Sequence, residues 1–243
     1  MNFSIIIPVY NEINYIPKIL KKLFNLKIKK NIKLIIVDDS STDGTKNWLK
    51  SDKPKKLLNN YKNKKNNFIM KIILKKKNEG KGSAIIEGLK YTKENDVILI
   101  QDADLEYNPN DIPKLLKLIE NGNDVVFGNR FHFNNHYHYK IFAIANYIIS
   151  SFTSIIFFYK ISDTAACYKI FKRRILKNLI TLKEKDFMFD FEFTSKVLKK
   201  KKYLRISETN ISYKGRTFDE GKKISWKDGF RALYTILKVR IFY

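Results

Sequence analysis

Short β-branched and aliphatic runs alternate with helical spacing through the first half of this chain. Phe3–Ile7, ended by Pro8, then Leu34–Val37, Phe68–Leu74 and Val97–Ile100 read as buried strands, and Val125–Phe127 as a fifth. Ile16, Ile19, Leu20 and Leu23 recur at helical spacing after the first run, and Asn11 stands where a helix cap is expected. Gly80-Lys81-Gly82 makes a tight turn into a helix carrying Ala84, Ile85 and Leu89, and Asp111–Ile119 supplies another. Strands separated by helices need crossover connections. The pattern therefore predicts an α/β fold with a mostly parallel, twisted sheet flanked by helices.

In such sheets ligands bind beyond the carboxyl ends of the strands. Four polar clusters fall there: Pro8-Val9-Tyr10-Asn11-Glu12, Asp38-Asp39, Asp102-Ala103-Asp104 and Gly128-Asn129-Arg130. Their shared edge predicts one site. Asp102 and Asp104, two residues apart at a strand end, can converge on a cation such as Mg²⁺ or Mn²⁺, which would also hold diphosphate oxygens. A carboxylate at Asp38-Asp39, at the end of another buried strand, could accept hydrogen bonds from a base or ribose. Glu12 could do the same, although a first-turn carboxylate beside a helix dipole is sufficient explanation for it alone. Tyr213-Lys214-Gly215-Arg216-Thr217 and Gly221-Lys222-Lys223 form a basic, glycine-containing stretch, open between a phosphate clamp and a surface loop.

Composition limits the alternatives. With 44% hydrophobic residues among 243, a sizeable core can form. The net charge of +24 points to an anionic partner: nucleic acid, a phosphorylated substrate or an anionic membrane surface. Only seven of the 48 basic residues are Arg, and abundant Asn and Ile accompany the Lys, so compositional drift explains part of the excess. Carboxylates clustered at strand ends argue against nucleic acid, because they repel phosphates unless a metal intervenes. Lys53–Lys77 holds ten lysines and no acid, and reads as a solvated loop leading into the third strand. His132, His136 and His138 lack partners at zinc-like spacing. Gly80-Lys81-Gly82 does not meet the spacing of a nucleoside-triphosphate loop. The lone Cys167 excludes an internal disulfide and suits a reducing compartment. Met1-Asn2-Phe3-Ser4 runs into a strand without a basic leader, so no signal peptide is expected.

Ile141–Tyr159 carries no charge and nearly reaches membrane-spanning length, but Asn146, Ser150, Ser151, Thr153 and Ser154 dilute it. A buried or interfacial helix pair is expected there. Phe187–Lys201 reads as a helix and Tyr203–Tyr213 as one or two strands. Trp226–Tyr243 reads as a final helix with Phe230, Leu233, Tyr234, Leu237 and Ile241 on one face.

In order and spacing, Ser4–Glu12 (SIIIPVYNE), Val37–Thr45 (VDDSSTDGT), Asn78–Gly82 (NEGKG) and Asp102-Ala103-Asp104 resemble the inverting family 2 glycosyltransferases of GT-A fold. Gly128-Asn129-Arg130, Asp163–Phe171 (DTAACYKIF), Ile211–Thr217 and Glu220–Ile224 are similar to the polyprenol-phosphate (dolichol-phosphate) mannosyl- and glucosyltransferase branch, so the resemblance covers nearly the whole chain. It implies one GT-A domain over 1–243, with a Rossmann-like nucleotide-sugar half at 1–130 and an acceptor- and membrane-facing half at 131–243. By this resemblance Pro8, Tyr10, Glu12, Val37 and Asp39 would hold the nucleoside. Asp102, Ala103, Asp104 and Glu106 would hold metal (Mg²⁺ or Mn²⁺) and diphosphate. Arg130, Arg216 and Lys222 would bind donor and acceptor phosphates. The implied reaction moves mannose from GDP-mannose to polyprenyl or dolichyl phosphate with inversion. Another donor, such as UDP-glucose or UDP-N-acetylhexosamine, or a saccharide acceptor in cell-surface polysaccharide synthesis, is the alternative.

A phosphate acceptor already carries an anionic oxygen and needs no strong base. Asp190 and Glu192, near where other branches place an acidic base, are therefore read as structural or orienting. Glu106 stands where members often carry Gln, and His132–Lys140 has histidines where relatives carry more Arg or Lys. No long C-terminal spanning helix is expected from these residues. Membrane contact is accordingly expected to be peripheral, on a cytoplasmic face, through Ile141–Tyr159 and the last helix, with room for a membrane-anchoring partner protein.

Overall fold

The computed structural model describes residues 2–28, 30–61, 67–131, 135, 137–217, 219–221 and 226–243. β1 (Phe3–Val9) and β4 (Val97–Ile100) are buried at every position, as central strands covered on both faces must be. β2 (Asn31–Asp38) and β3 (Asn67–Leu74) continue the sheet to one side. β6 (Lys169–Lys172), β5 (Val125–Asn129) and β7 (Ile206–Asn210) continue it to the other. The order is β3-β2-β1-β4-β6-β5-β7. Every pairing is parallel except those of β6, which runs against both β4 and β5. The polar clusters following β1, β2, β4 and β5 therefore share one edge, as expected.

The helices form where the apolar spacing placed them. α1 (Ile16–Phe24) buries Ile16, Ile19, Leu20, Leu23 and Phe24. Each such side chain contributes roughly 1.5–3 kcal/mol on burial. α2 (Thr45–Lys50) follows β2, and α3 (Lys53–Asn59) precedes β3. The start of the lysine-rich segment is thus helical rather than loop: Pro54 occupies the first turn and is buried, while the lysines point outward. α4 (Lys81–Leu89) lies on β1 so closely that a Cβ on Gly88 would stand 2.7 Å from a methyl of Ile6. α5 (Ile112–Glu120) follows a 3₁₀ turn at Pro109–Asp111. α7 (Ile175–Asn178) is a single turn. α8 (Met188–Lys199) is buried from Met188 to Leu198, a core helix rather than an amphipathic one.

Three further expectations need correction. Asn11 does not cap α1, whose N-cap is Tyr15. Asn11 instead sits at φ 55° and its side-chain oxygen accepts the Thr42 N–H at 2.8 Å. Residues 141–159 form one helix rather than a pair, because nothing before the left-handed Phe158 interrupts α6 (Lys140–Phe157). That helix is long and apolar enough to cross a membrane, and only 22% of it is buried; Ile141, Ile144, Tyr147, Ile148 and Ile155 are exposed. In α9 (Trp226–Phe242) the apolar stripe Phe230, Tyr234, Leu237 and Ile241 faces outward, while the smaller Ala232, Thr235, Ile236 and Val239 are buried. Helical period alone cannot say which of two apolar stripes meets the core.

Candidate active site

The loops after β1 and β2 are sewn together before any ligand is considered. Asn11 N–H donates to Ser41 Oγ at 2.9 Å, Glu12 N–H to Thr45 Oγ1 at 3.0 Å and Ile13 N–H to Asp43 Oδ2 at 3.1 Å. The hydroxyls and carboxylates of Ser-Ser-Thr-Asp-Gly-Thr thus saturate the backbone of the first loop, which holds Tyr10 and Glu12 at the sheet edge. Asp39 is buried and accepts from the Lys75 ammonium at 2.5 Å and from the N–H groups of Gly80 at 2.7 Å and Glu79 at 3.2 Å. It anchors the turn that opens α4. Val37 is wholly buried within β2, paired with Pro8 and below the edge.

β4 ends in a turn stiffened from below. Tyr168 donates to Gln101 Oε1 at 2.7 Å, and Gln101 Nε2 donates to the Asp102 carbonyl at 2.9 Å. Leu105, at φ 64°, bends the chain, and Asp104 Oδ1 accepts Glu106 N–H at 3.0 Å. Asp104 and Glu106 then meet the loop after β7. Glu106 accepts from Arg216 N–H at 2.8 Å and Tyr213 Oη at 3.1 Å, while its carbonyl accepts Lys214 N–H at 2.9 Å. The Arg216 guanidinium lies between Glu12, 3.0 Å away, and Asp104, 3.1 Å away, and stacks on Tyr15. Burial, then the charges of Glu106 and Asp102, push the Asp104 carboxyl up to about 8 despite Arg216.

Arg130, at the end of β5, is nearly buried. It grips the wholly buried Asp163 with Nε at 2.7 Å and one terminal nitrogen at 2.8 Å, and lies over the Tyr213 ring. Two of its three nitrogens are therefore committed to Asp163. On the other wall Lys81 reaches Asp102 at 3.0 Å and Asp190 at 3.0 Å. Glu192, two residues on, accepts the N–H groups of Lys183 and Glu184 and pairs with Lys196 at 2.7 Å. These contacts tie α8 to the segment that precedes it.

Glu12, Asp39, Lys81, Asp102, Asp104, Arg130, Asp190 and Arg216 line one cavity of about 400 Å³. Of the expected site residues, Pro8, Tyr10, Glu12, Asp39, Asp102, Ala103, Asp104, Glu106, Arg130 and Arg216 all border it, and Val37 does not. Lys222, His132 and His136 lie outside the described residues; His138 borders the cavity. Sequence reading missed Lys81, Asp163, Lys169 and Tyr213 as parts of the site. Lys81 sits inside Asn78–Gly82, but only the fold sets it against Asp102.

Among the described residues no three His, Cys, Asp or Glu side chains converge as a metal cage. The donor chemistry nevertheless fits a hard divalent cation. Asp102 and Asp104 offer two carboxylates on one turn, the number that Mg²⁺-type sites combine with substrate phosphates. Glu12, Asp102, Asp104, Glu106 and Asp190 form one network with Lys81, Lys169 and Arg216, two carboxylates in excess of cations. Glu106 is occupied in holding the Tyr213–Arg216 loop.

Residues 4–180 match the Glycosyl transferase family 2 model. The chain is 35% identical over 131 residues to a dolichol-phosphate mannosyltransferase of Pyrococcus furiosus, covering 54% of this chain and 34% of that protein. It is 34% identical over 125 residues to an undecaprenyl-phosphate 4-deoxy-4-formamido-L-arabinose transferase of Proteus mirabilis, covering 51% of this chain and 35% of that one. These matches span about a third of each relative's length. An uncharacterised protein of Methanocaldococcus jannaschii is 33% identical over 181 residues, covering 72% of this chain and 73% of its own. Among solved structures, glucosyl-3-phosphoglycerate synthase from Mycobacterium tuberculosis, in complex with Mn²⁺, UDP and phosphoglyceric acid, superposes with a TM-score of 0.70. That likeness, at 14% identity, covers all of this chain and 79% of that one, and it establishes the fold. The chain belongs to glycosyl transferase family 2 and has the mixed α/β sheet of GT-A enzymes.

Proposed function

We propose that this enzyme transfers mannose from GDP-mannose to a polyprenyl phosphate with inversion. One observation carries the reading. The cavity that starts among Asp102, Asp104, Arg130 and Arg216 runs on between α6, α8 and α9, where Phe142, Ile149, Phe187, Met188, Phe191 and Trp226 line it. A charged head joined to an apolar channel suits a phosphate on a hydrocarbon tail. The relatives named for dolichol phosphate and undecaprenyl phosphate support the same acceptor class. In this reading 1–130 forms the nucleotide-sugar half of a single domain and 131–243 the acceptor half.

Pro8, Tyr10, Glu12 and Asp39 take the nucleoside at the β1 and β2 edge, with Val37 supporting Pro8 from below. Asp102 and Asp104 would hold Mg²⁺ or Mn²⁺, which when bound neutralises charge on the leaving diphosphate. Arg130 offers its remaining nitrogen to phosphate. Arg216 exchanges Glu12 and Asp104 for phosphate as the ligands arrive, and Lys222 is assigned phosphate binding as well. An acceptor phosphate oxygen attacks the anomeric carbon in line as the bond to the diphosphate oxygen breaks, releasing the nucleoside diphosphate. No proton need be removed from the attacking oxygen, so positioning and charge neutralisation are the whole demand.

The outward stripes of α6 and α9 provide the peripheral membrane contact at a cytoplasmic face. Ile144 and Ile148 of α6 are more than half exposed, as are Phe230 and Ile241 of α9.

The test is transfer in detergent from GDP-mannose or UDP-glucose to polyprenyl phosphate, polyprenol or an oligosaccharide, with Mn²⁺ or with chelator. Product from GDP-mannose and polyprenyl phosphate alone, lost in Asp104→Asn, is expected. Equal transfer to an oligosaccharide would replace the acceptor assignment, and an unchanged rate in Asp104→Asn would remove the metal from it.

A further inference from the structure

Four side chains of alternating charge run from the core to the Asp102 turn. Lys169 on β6 is wholly buried; its ammonium lies 2.8 Å from Asp190 Oδ1 and also donates to the Ala166 carbonyl. The other oxygen of Asp190 takes Lys81 at 3.0 Å, and the same Lys81 ammonium lies 3.0 Å from Asp102. Lys81 is thus divided between two carboxylates.

The two carboxylates are differently held. Asp190 is 5% exposed, stands in the first turn of α8 where the helix dipole favours negative charge, and has Lys169 behind it. Asp102 faces the cavity. The backbone keeps Lys81 close to Asp190: Gly82 N–H and Ser83 N–H donate to the carbonyls of Asp186 and Lys185, in the segment that leads into α8. A Cβ on Gly82 would stand 2.3 Å from the Glu184 carbonyl, so only glycine permits that approach.

We propose that Asp190, anchored by Lys169, is a positioning residue that draws Lys81 away from full pairing with Asp102 and so leaves Asp102 available to a divalent cation and the donor diphosphate. The inference rests on the cation and diphosphate role proposed for the Asp102 turn. The same geometry favours an orienting role over that of a base for this acid. Both its oxygens face ammonium groups, and although burial opposes the charge, Lys169 and Lys81 outweigh it and hold the carboxyl below its ordinary range. Without Asp190, the Lys81 ammonium has Asp102 as its remaining carboxylate, and a cation must then displace a stronger pair.

The test is Mn²⁺ binding, read from the free-ion electron paramagnetic resonance signal, with melting curves to verify folding. Asp190→Asn alone would strand a buried lysine, so Lys169→Met and Asp190→Asn are made together, which leaves the net charge unchanged. Mn²⁺ affinity in this pair variant is expected to fall about tenfold, the equivalent of one charge-assisted hydrogen bond. In a Lys81→Met background the same pair should change it by less than about twofold, since the intermediary is gone. Lys81→Met alone, a change at the cavity wall rather than the core, should tighten Mn²⁺ binding. An unchanged affinity in the pair variant, an equal loss in both backgrounds, or weaker binding in Lys81→Met would overturn the inference. A wild-type protein that binds no Mn²⁺ would overturn the cation assignment itself, and the positioning role with it.

Discussion

Replacing Asp163 with Asn should destabilise the enzyme sharply while leaving its shape almost unchanged. Asp163 is wholly buried and receives Arg130 twice through the guanidinium, at 2.7 and 2.8 Å, and once through the Arg130 backbone N–H at 3.1 Å. Asparagine keeps one carbonyl acceptor but removes the charge, and Arg130, 6% exposed, stays cationic because a guanidinium does not give up its proton in a protein. Breaking a buried ion pair from one side costs roughly 3–5 kcal/mol, and the carbonyl retained by Asn puts this case near the lower end, about 3 kcal/mol. At roughly 2–4 °C per kcal/mol for a chain of this size, the melting temperature should drop by about 6–12 °C. Calorimetry or circular dichroism at neutral pH measures this directly. Adding Arg130→Met should restore more than half of the loss, because the stranded charge and not the missing contact dominates it. An Asp163→Asn protein that melts within about 2 °C of wild type would refute the reasoning. So would a double variant no more stable than the single.

Further outcomes follow from the same geometry. Arg216→Ala should lower turnover at least about tenfold, the value of one lost charge-assisted contact, while nucleotide affinity measured by calorimetry stays within about twofold. Equal turnover would exclude a phosphate role for this loop. Asp124 accepts the Arg205 N–H at 3.1 Å and pairs with Lys172 and Arg174, each at 3.0 Å; these contacts outweigh burial and lower its pKa. A lowered carboxylate contributes stability above its unfolded value of 3.8 and loses it as pH falls through the folded value. The melting gap between wild type and Asp124→Asn should therefore narrow on acidification below that value, and a constant gap would contradict the assignment. Phe230→Asp combined with Ile144→Asp changes two exposed positions and should leave the melting temperature within a few degrees while reducing co-sedimentation with lipid vesicles. Undiminished vesicle binding would move the membrane contact elsewhere.

Much of the catalytic edge was legible beforehand because it is local. Val9 ends β1, one residue past the proline, Asp38 ends β2 and Gln101-Asp102 follows β4, so strand patterning alone brings Glu12, Asp39 and Asp102 to one side. The lysine-bearing β6 was not legible. Lys169-Ile170-Phe171-Lys172 is four residues long and opens and closes on charge, yet it lies between β4 and β5 because Lys169 finds Asp190 and Lys172 finds Asp124. Its antiparallel insertion also puts Tyr168 beneath Gln101. The same limit applies to α9, whose two apolar stripes are alike in period; the one with smaller side chains packs inward.

Sequence by itself determined the parallel strand–helix order, the edge on which the carboxylates gather, and the family to which the order and spacing of the motifs belong. Those properties depend on neighbours along the chain. Tertiary structure alone decided the partners of each charge: Arg216 with Glu12, 204 residues away; Arg130 with Asp163; and Lys81 between Asp102 and Asp190. Pairing of this kind requires distant segments to be brought within about 3 Å, and in a chain with twice as many basic as acidic residues nothing in the order of the letters selects which lysine meets which carboxylate.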